Sequence, residues 1–588
     1  MPILKHQTCF FYALFVLLFF GLPVQGQDLE AIGQNLSNLR DQSLGITGNI
    51  QFSNQSYWSE GIDARRDTWQ WGVRANLNFS FLGMSAPFSV AFSDANSAYR
   101  LPSYTFVGIS PKYKWATLHL GDRSLGFSRY TMSGISFRGI GFTLEPGRWY
   151  ASGFYGKLNR ALSSDLDAVG DLNGYLKRKG YGSRLGYVGK KGGYFINFFG
   201  ADDDDEDFLL TPIGEALSTT NNRVVSLELR QELFEGLTLS TELAHSVYNN
   251  DSNAKQLGEA DYNLGNRLLG VFQPTESLLT GQAYNLGLFY SVKGWGLQGR
   301  YERVERGFRT LGALFFNDDT ENYSLGVSRN FLENKLSVIV NGGIERVNLD
   351  DAELEQTNRF IASANVTYRP DDKWMYSAGY SNFRNDTKLR TRTNLLQPVD
   401  SIFLAQVNQS INGMIIRRLG TKERPASVSL IMNHQRANNV INDMVQDNGQ
   451  SQFSNAALLY GFGNANAGWR WTAGLSYNTT TLANFRTQSF SPTFGASRNF
   501  FDNALSTNMR TAFSFFQQNG DTNNVLNLSL GGSYRLKNSH NLGLNITHIN
   551  RFGAADPALS FSEWYGKVAY GYRFGGSIGG NPKPPENK

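Results

Sequence analysis

The chain has 588 residues, a formal net charge of +5, 61 glycines and one cysteine, and 13% of its residues are aromatic. Its mean hydropathy of −0.35 excludes a helical membrane protein, which needs repeated apolar runs of about 20 residues. A hydrophobic content of 41% argues against a disordered chain, and a small net charge scattered along the sequence does not indicate a nucleic-acid partner.

Residues 1–26 are predicted to be a secretory signal peptide. An apolar stretch at 9–22 follows a basic start, and Val24-Gln25-Gly26 offers small residues at the −3 and −1 positions of a cleavage site. A transmembrane anchor is the alternative, which the shortness of the apolar stretch disfavours. Cleavage before Gln27 would also remove Cys9, so the mature chain is expected to lack disulfides, thiol-ligated metals and thiol catalysis.

Residues 27–44 are predicted to form a short periplasmic helix. Leu29, Ile32, Leu36 and Leu39 recur at the spacing of an amphipathic helical stripe. One interpretation is a small plug element or a dock for a periplasmic partner protein. The other is a helix that rests on the rim of the domain that follows.

Residues 45–574 carry the pattern of one large membrane barrel. Apolar and polar residues alternate in segments such as 225–230 and 526–531, and about 26 such segments fit the length. Short connections such as 145–148 alternate with long ones such as 247–281, and soluble β domains have no reason to sort their connections in this way. The predicted fold is all-β, a single large transmembrane antiparallel β-barrel of about 26 strands with short periplasmic turns and long extracellular loops.

Aromatic residues mark the predicted membrane interface and the end of the barrel. Six tryptophans in or just after short connections predict an aromatic girdle, because an indole ring is favoured where headgroups meet hydrocarbon. The six are Trp115, Trp149, Trp295, Trp374, Trp469 and Trp471. The last strand carries Tyr570, Tyr572 and Phe574 on one face, which resembles the C-terminal insertion signal of bacterial outer-membrane proteins. The polar tail that follows, 575–588, is predicted to be disordered.

Charged residues on the polar face of the strands are predicted to point into the lumen, from the alternation alone. They are Arg184, Arg230, Arg300, Arg510, Arg535, Arg573, Glu228, Glu232, Glu242 and Glu302. The mixture of signs predicts a hydrated interior without an evident preference for anions or cations.

Catalytic and cofactor motifs are scarce in the sequence. It has no P-loop and no HxxxH pair, so the chain is predicted not to be an enzyme and to carry no cofactor. One acidic run is a weak candidate for Ca²⁺, which prefers oxygen ligands, although a solvated loop tip explains it better because consecutive carboxylates point in opposite directions. This run is Asp202, Asp203, Asp204, Asp205, Glu206 and Asp207.

A glycine-, aromatic- and arginine-rich stretch from Gly121 to Thr131, continuing to Gly156, is similar to segments of outer-membrane barrels of the Bacteroidota. The resemblance implies a location in the outer membrane of a Gram-negative bacterium, reached after export. Expected partners are outer-membrane lipid and lipopolysaccharide, the outer-membrane assembly machinery, and a plug or periplasmic partner protein.

Three functions remain open at this point. The first is a gated or partner-plugged conduit for solute or polymer. The second is a structural subunit of an outer-membrane secretion or protein-assembly machine. The third is a surface adhesin, which is the least favoured of the three.

Overall fold

The computed structural model describes most of the predicted barrel. The described residues are 44–94, 106–159, 176–204, 218–258, 272–313, 317–349, 355–389, 402–441, 444–445, 449–483, 485–537, 539–553 and 560–578. The predicted signal peptide, the N-terminal helix up to residue 43 and the tail from residue 579 lie outside these residues. In the described part of the chain, no helix is long and apolar enough to cross a membrane.

The described residues form β-strands joined by turns and longer connections. The strands are β1 (Leu44–Glu60), β2 (Trp69–Phe81), β3 (Met84–Ser93), β4 (Phe106–Ile109), β5 (Lys112–Tyr113), β6 (Ala116–Arg123), β7 (Phe137–Leu144), β8 (Trp149–Asn159), β9 (Arg178–Val188), β10 (Gly192–Asp203), β11 (Asn221–Phe234), β12 (Leu237–Asn249), β13 (Leu278–Val292), β14 (Trp295–Val304), β15 (Thr320–Phe331), β16 (Leu336–Val347), β17 (Glu355–Tyr368), β18 (Trp374–Leu389), β19 (Ile402–Arg418), β20 (Ala426–Ile441), β21 (Met444–Val445), β22 (Ser451–Asn464), β23 (Trp469–Leu482), β24 (Phe485–Phe500), β25 (Leu505–Gln518), β26 (Asp521–Leu536), β27 (His540–Phe552) and β28 (Phe561–Ile578).

These strands close into one antiparallel barrel, as the sequence predicted. Each strand pairs with its neighbour in the chain, and β1 pairs with both β2 and β28, which closes the wall. The barrel has 26 strands, because β4 and β5 occupy one position between β3 and β6, and β21 only extends the edge of β20.

The barrel extends slightly beyond its predicted limits of 45 and 574. Pairing between β1 and β28 runs from Glu60↔Ser562 to Leu44↔Ile578. Backbone hydrogen bonding to β1 therefore draws the first residues of the predicted tail into the wall.

Two details of the predicted connections differ from the structure. A turn predicted at 110–114 begins later, at Lys114-Trp115. Ser110 and Pro111 instead interrupt the strand between β4 and β5, where proline lacks the N–H that a ladder requires. The long connections also share their end of the barrel with two tight ones, 483–484 and 519–520, so the alternation of lengths is not strict.

The wall has two chemically different faces. On β11, Leu227 is 52% exposed while its neighbour Ser226 is buried, and Ile196 and Leu243 repeat the apolar pattern on the adjacent strands. Large apolar side chains stay exposed on this face around most of the barrel. Such a continuous apolar surface is far larger than soluble monomers expose.

A row of glycines crosses the wall in register where the strands are shortest. The row consists of Gly108, Gly121, Gly139, Gly156 and Gly180, on β4 and β6–β9. A Cβ atom at Gly139 would lie 2.1 Å from the carbonyl oxygen of Tyr155 on the next strand. At the first four glycines of the row the nearest atom to such a Cβ is a backbone oxygen of a neighbouring strand, whereas at Gly180 it is the Leu158 side chain. From this close approach of backbones we infer that the wall bends sharply along the row.

Candidate functional site in the barrel lumen

The segment 124–136, between β6 and β7, folds against the polar face of the wall. We call it the inward segment. Its Phe127 packs on Phe154 of β8, with ring centroids 5.8 Å apart, and its Ser128 hydroxyl lies 3.2 Å from that of Ser226 on β11. Farther round, Arg129 reaches Glu302 on β14. One segment that touches β8, β11 and β14 must lie on the concave side of the wall, so the polar face is the inner face.

A second segment, 305–313, follows β14 and pairs with the inward segment. The Ser133 amide donates to the Gly312 carbonyl at 2.8 Å, and the Thr310 hydroxyl donates to the Thr131 carbonyl at 2.8 Å. Both segments contribute to one hydrophobic cluster on the inner wall. The cluster contains Phe127, Tyr130, Met132, Phe137, Phe154, Phe199, Ala201, Val224, Ala244, Ala283, Val304 and Phe308.

Asn222 on β11 holds the second segment to the wall. Its side-chain amide donates to the Arg309 carbonyl at 3.1 Å and accepts from the Leu311 amide at 3.0 Å. Ser246 on β12 also donates to the Arg309 carbonyl. Because these bonds satisfy backbone groups that would otherwise be buried without partners, the second segment has a defined position.

Glu302 anchors the inward segment. The Tyr130 hydroxyl donates to one carboxylate oxygen at 2.9 Å, and Arg129 donates to the other at 2.8 Å. Burial, together with this carboxylate, raises the pKa of the Tyr130 hydroxyl, which therefore remains a donor at neutral pH. The ring of Tyr130 packs edge-on against Phe308, with centroids 5.9 Å apart.

We expect the Arg129–Glu302 contact to control how firmly the inward segment is attached. A Ser128→Cys/Ser226→Cys pair should form a disulfide readily, since the two hydroxyl oxygens are 3.2 Å apart. Adding Glu302→Gln should slow this oxidation about ten-fold, because a charged hydrogen bond is worth about 1.5–3 kcal/mol. Oxidation rates are read on non-reducing gels. Glu423→Gln, in the exposed turn 419–425, is the control and should leave the oxidation rate unchanged. Equal oxidation rates of the cysteine pair with and without Glu302→Gln would refute the role of Glu302.

The predicted lumen charges on β9–β14 lie close together. Arg184 forms an ion pair with Glu228 at 3.1 Å. Glu228, Glu242, Asn285 and Glu302 lie in register on four adjacent strands, forming an acidic row beneath the two segments. Glu242 is only 6% exposed, and one of its oxygens finds no hydrogen-bond partner among the described residues.

The other predicted lumen charges are dispersed. Arg230 and Arg300 face Ser240 and Ser324 across the ladder, and Glu232 faces Thr238. In the last strands, the registers pair three further arginines with small or polar residues. These pairs are Arg510↔Ser529, Arg535↔Asn541 and Arg573↔Asn49.

The described part of the acidic run is already neutralised by basic side chains. Asp202 pairs with Arg223 at 2.9 Å and Asp203 with Arg178 at 2.7 Å. Asp204 lies 2.8 Å from the ammonium group of Lys179. Asp205, Glu206 and Asp207 lie outside the described residues. Within the described ranges, no group of three or more His, Cys, Asp or Glu could hold a metal ion.

One serine–histidine contact on the wall falls short of a catalytic triad. The Ser110 hydroxyl lies 3.0 Å from Nδ1 of His119, and Nε2 of the same ring lies 3.0 Å from the Thr143 hydroxyl. A triad needs a carboxylate behind the histidine to stabilise the imidazolium, whereas a hydroxyl stands there. The arrangement therefore supplies hydrogen bonds to the wall rather than an activated nucleophile.

All ten tryptophans lie near one end of the barrel or the other. The six of the predicted girdle stand at the short-turn end, where both barrel termini also lie. Arg329 and Arg417 lie over the rings of Trp295 and Trp374 at 4.4 and 4.9 Å. At the opposite end, β28, β1 and β2 carry the other four. These are Trp58, Trp69, Trp71 and Trp564, all of them exposed.

Sequence reasoning missed both inner segments, because it treated every long connection as an extracellular loop. A signal was present nonetheless. Leu125, Phe127, Tyr130, Met132 and Ile135 are apolar without the alternation of a strand. Apolar residues in a connection between polar-faced strands indicate a segment that packs against something, and here they pack on the inner wall.

Comparisons with known proteins find only remote likenesses. No protein-family model matches the sequence, and no curated protein matches it. The translocation pore of the P pilus usher PapC aligns with 90% of this chain and 99% of its own, at 12% identity and a TM-score of 0.36. BauA, the ferric preacinetobactin receptor of Acinetobacter baumannii, aligns with 90% of this chain and 80% of its own, at 10% identity and a TM-score of 0.36. OccAB2 of the same species aligns with 62% of this chain and 96% of its own, at 13% identity and a TM-score of 0.31.

Proposed function

We propose that this protein is an outer-membrane conduit for solute or polymer, gated or plugged by its own inner segments or by a partner. The proposal rests on one observation: the closed wall is apolar on its outer face and polar on its inner face. A continuous apolar exterior is stable in lipid, and a closed barrel leaves no unpaired strand edge there.

The spacing of aromatic residues supports a membrane-spanning wall. On β28, Trp564 and Tyr572 share the outer face and are eight residues apart. At a rise of about 3.3 Å per residue and a tilt of about 40°, this separation is roughly 20 Å, close to the apolar height of a membrane barrel. The proposed girdle of six tryptophans would then lie at the periplasmic interface.

The size of the barrel supports a conduit that needs a closing element. With strands about 4.8 Å apart and tilted by about 40°, a circular barrel of 26 strands would be about 50 Å across between backbones. The two inner segments cover the wall only from β8 to β14. The predicted helix at 27–44, the long loops or a periplasmic partner would therefore have to close the remainder.

Single-channel recording of the detergent-purified chain from residue 27, with and without 27–43, tests this proposal. We expect steady conductance from the intact chain, or conductance that begins once 27–43 are removed, which would make that helix the plug. Heat-dependent gel mobility serves as the control that both forms are folded. Silence of both folded forms, and of the same forms carrying Tyr130→Ala and Phe308→Ala to release the inner segments, would refute the conduit and favour a scaffold subunit of an envelope machine.

A further inference from the structure

A row of uncharged amides crosses the inner wall on strands β17–β24, away from the two inner segments on β8–β14. We call it the amide row. It consists of Asn365, Gly379, Asn412, Asn433, Asn455, Asn478 and Ser489, which lie in register on β17–β20 and β22–β24.

Hydrogen bonds link the four side chains at one end of the row. Asn433 donates to Asn455 at 3.3 Å, Asn455 donates to Asn478 at 2.6 Å, and Asn478 donates to the Ser489 hydroxyl at 3.2 Å. Each amide has two N–H groups and two lone pairs, so Asn455 keeps one donor and one acceptor for a ligand after the ladder is formed.

The other end of the row is also closely spaced, and the row is reachable from the lumen. A Cβ atom at Gly379 would lie 2.6 Å from the side-chain oxygen of Asn412 and 2.8 Å from that of Asn365, so these amides meet over the glycine. Asn365 and Asn412 are exposed, and Asn455 and Asn478 are partly exposed.

Charges are sparse on this part of the inner face and none lies in the row itself. On β18, β20, β22 and β24, every residue that alternates in phase with the amide row is uncharged. The other three strands each carry one arginine in phase with the row, six to eight residues from it: Arg359, Arg418 and Arg470. A second polar row lies beside the first, with Ser363, Ser381, Ser410 and Gln435 in register. The acidic row, Glu228, Glu242, Asn285 and Glu302, lies on other strands, so the amide row is separated from the carboxylates of that row.

The geometry of the row suits an extended chain. Neighbouring strands are about 4.8 Å apart, so the row is roughly 30 Å long, and a strand tilt of about 40° makes it climb roughly 20 Å through the barrel. The 4.8 Å step is close to the length of one pyranose ring in a linear glycan.

We propose that the amide row is a binding track for a linear, uncharged, hydroxyl-rich oligosaccharide, an inference that rests on the proposed conduit function and names its class of cargo. Paired donors and acceptors on one amide match neighbouring sugar hydroxyls. An extended polypeptide fits less well, because its residues repeat about every 3.3 Å and a closed wall offers it no strand edge. Ions find no charge along the row.

Equilibrium binding of maltohexaose to the purified full-length mature protein tests the proposal, in a detergent without a sugar headgroup. We expect measurable binding that weakens at least ten-fold in Asn455→Leu/Asn478→Leu. The matched control is Asn527→Leu/Asn545→Leu, two asparagines of the inner face on β26 and β27. Asn455→Gln, which keeps the amide, should retain part of the affinity.

Three further probes make the outcome decisive: a neutral Gly-Ser hexapeptide, hexaglutamate, and polyethylene glycol of the same size. The oligosaccharide assignment would be overturned if the peptide bound more strongly than maltohexaose. It would also be overturned if both double variants lost maltohexaose affinity to the same extent. So would the absence of maltohexaose binding by folded protein. Because binding is measured without a membrane, an electrically silent barrel that binds sugar refutes only the conduit, whereas a conducting barrel that does not bind refutes only the track.

Discussion

Releasing the inward segment is expected to raise the single-channel conductance about two-fold, because the segment and 305–313 occupy the lumen against β8–β14. Tyr130→Ala combined with Phe308→Ala should release it. Both side chains are fully buried, and removal of a buried aromatic ring costs about 3–5 kcal/mol. Planar-bilayer recordings of the two proteins measure the change.

The matched control for this release is Phe501→Ala, since that ring is 73% exposed in a turn. Its conductance should equal that of the parent chain. An oxidised Ser128→Cys/Ser226→Cys disulfide, added to the release variant, should restore the lower conductance. Unchanged conductance on release would show that the two segments do not limit passage.

Gly139→Val is expected to prevent assembly of the barrel. The new side chain would overlap the carbonyl of Tyr155 at the tightest point of the glycine row, and the wall could accommodate it only by separating β7 from β8. The folded, heat-shifted band on a gel should fall at least ten-fold, since overpacking typically costs about 1–3 kcal/mol or more.

Gly532→Val tests whether any valine in the wall has the same effect. Gly532 also lies within a strand, β26, but nothing stands within 4 Å of a Cβ atom there. This variant should assemble like the parent chain. Equal amounts of folded protein from Gly139→Val and Gly532→Val would contradict the inferred sharp bend.

The barrel could be predicted from the sequence because the pattern that specifies each strand lies within that strand. Alternation along each strand decides which side chains face inward, and it assigns both Arg184 on β9 and Glu228 on β11 to the inner face, where they form an ion pair. The number of strands follows from the repeat of the same pattern. Neither inference requires knowledge of which strands are neighbours across the lumen.

The inner segments and the amide row could not be predicted in this way. Contact between Arg129 and Glu302 joins positions far apart in the chain, and only the closed wall brings them together. The amide row likewise depends on register, because a shift of one residue between β20 and β22 would separate Asn433 from Asn455. Alternation assigns a side chain to a face but does not align one strand with the next.

The bend at the glycine row also limits the bore. A closed wall of fixed perimeter encloses the largest area when its outline is a circle, and any corner reduces that area. The bend inferred from the close approach of backbones between Gly108 and Gly156 is such a corner. The open cross-section of this barrel is therefore smaller than its 26 strands alone would suggest, and in the proposed conduit passage would depend on the outline of the wall as well as on what lies inside it.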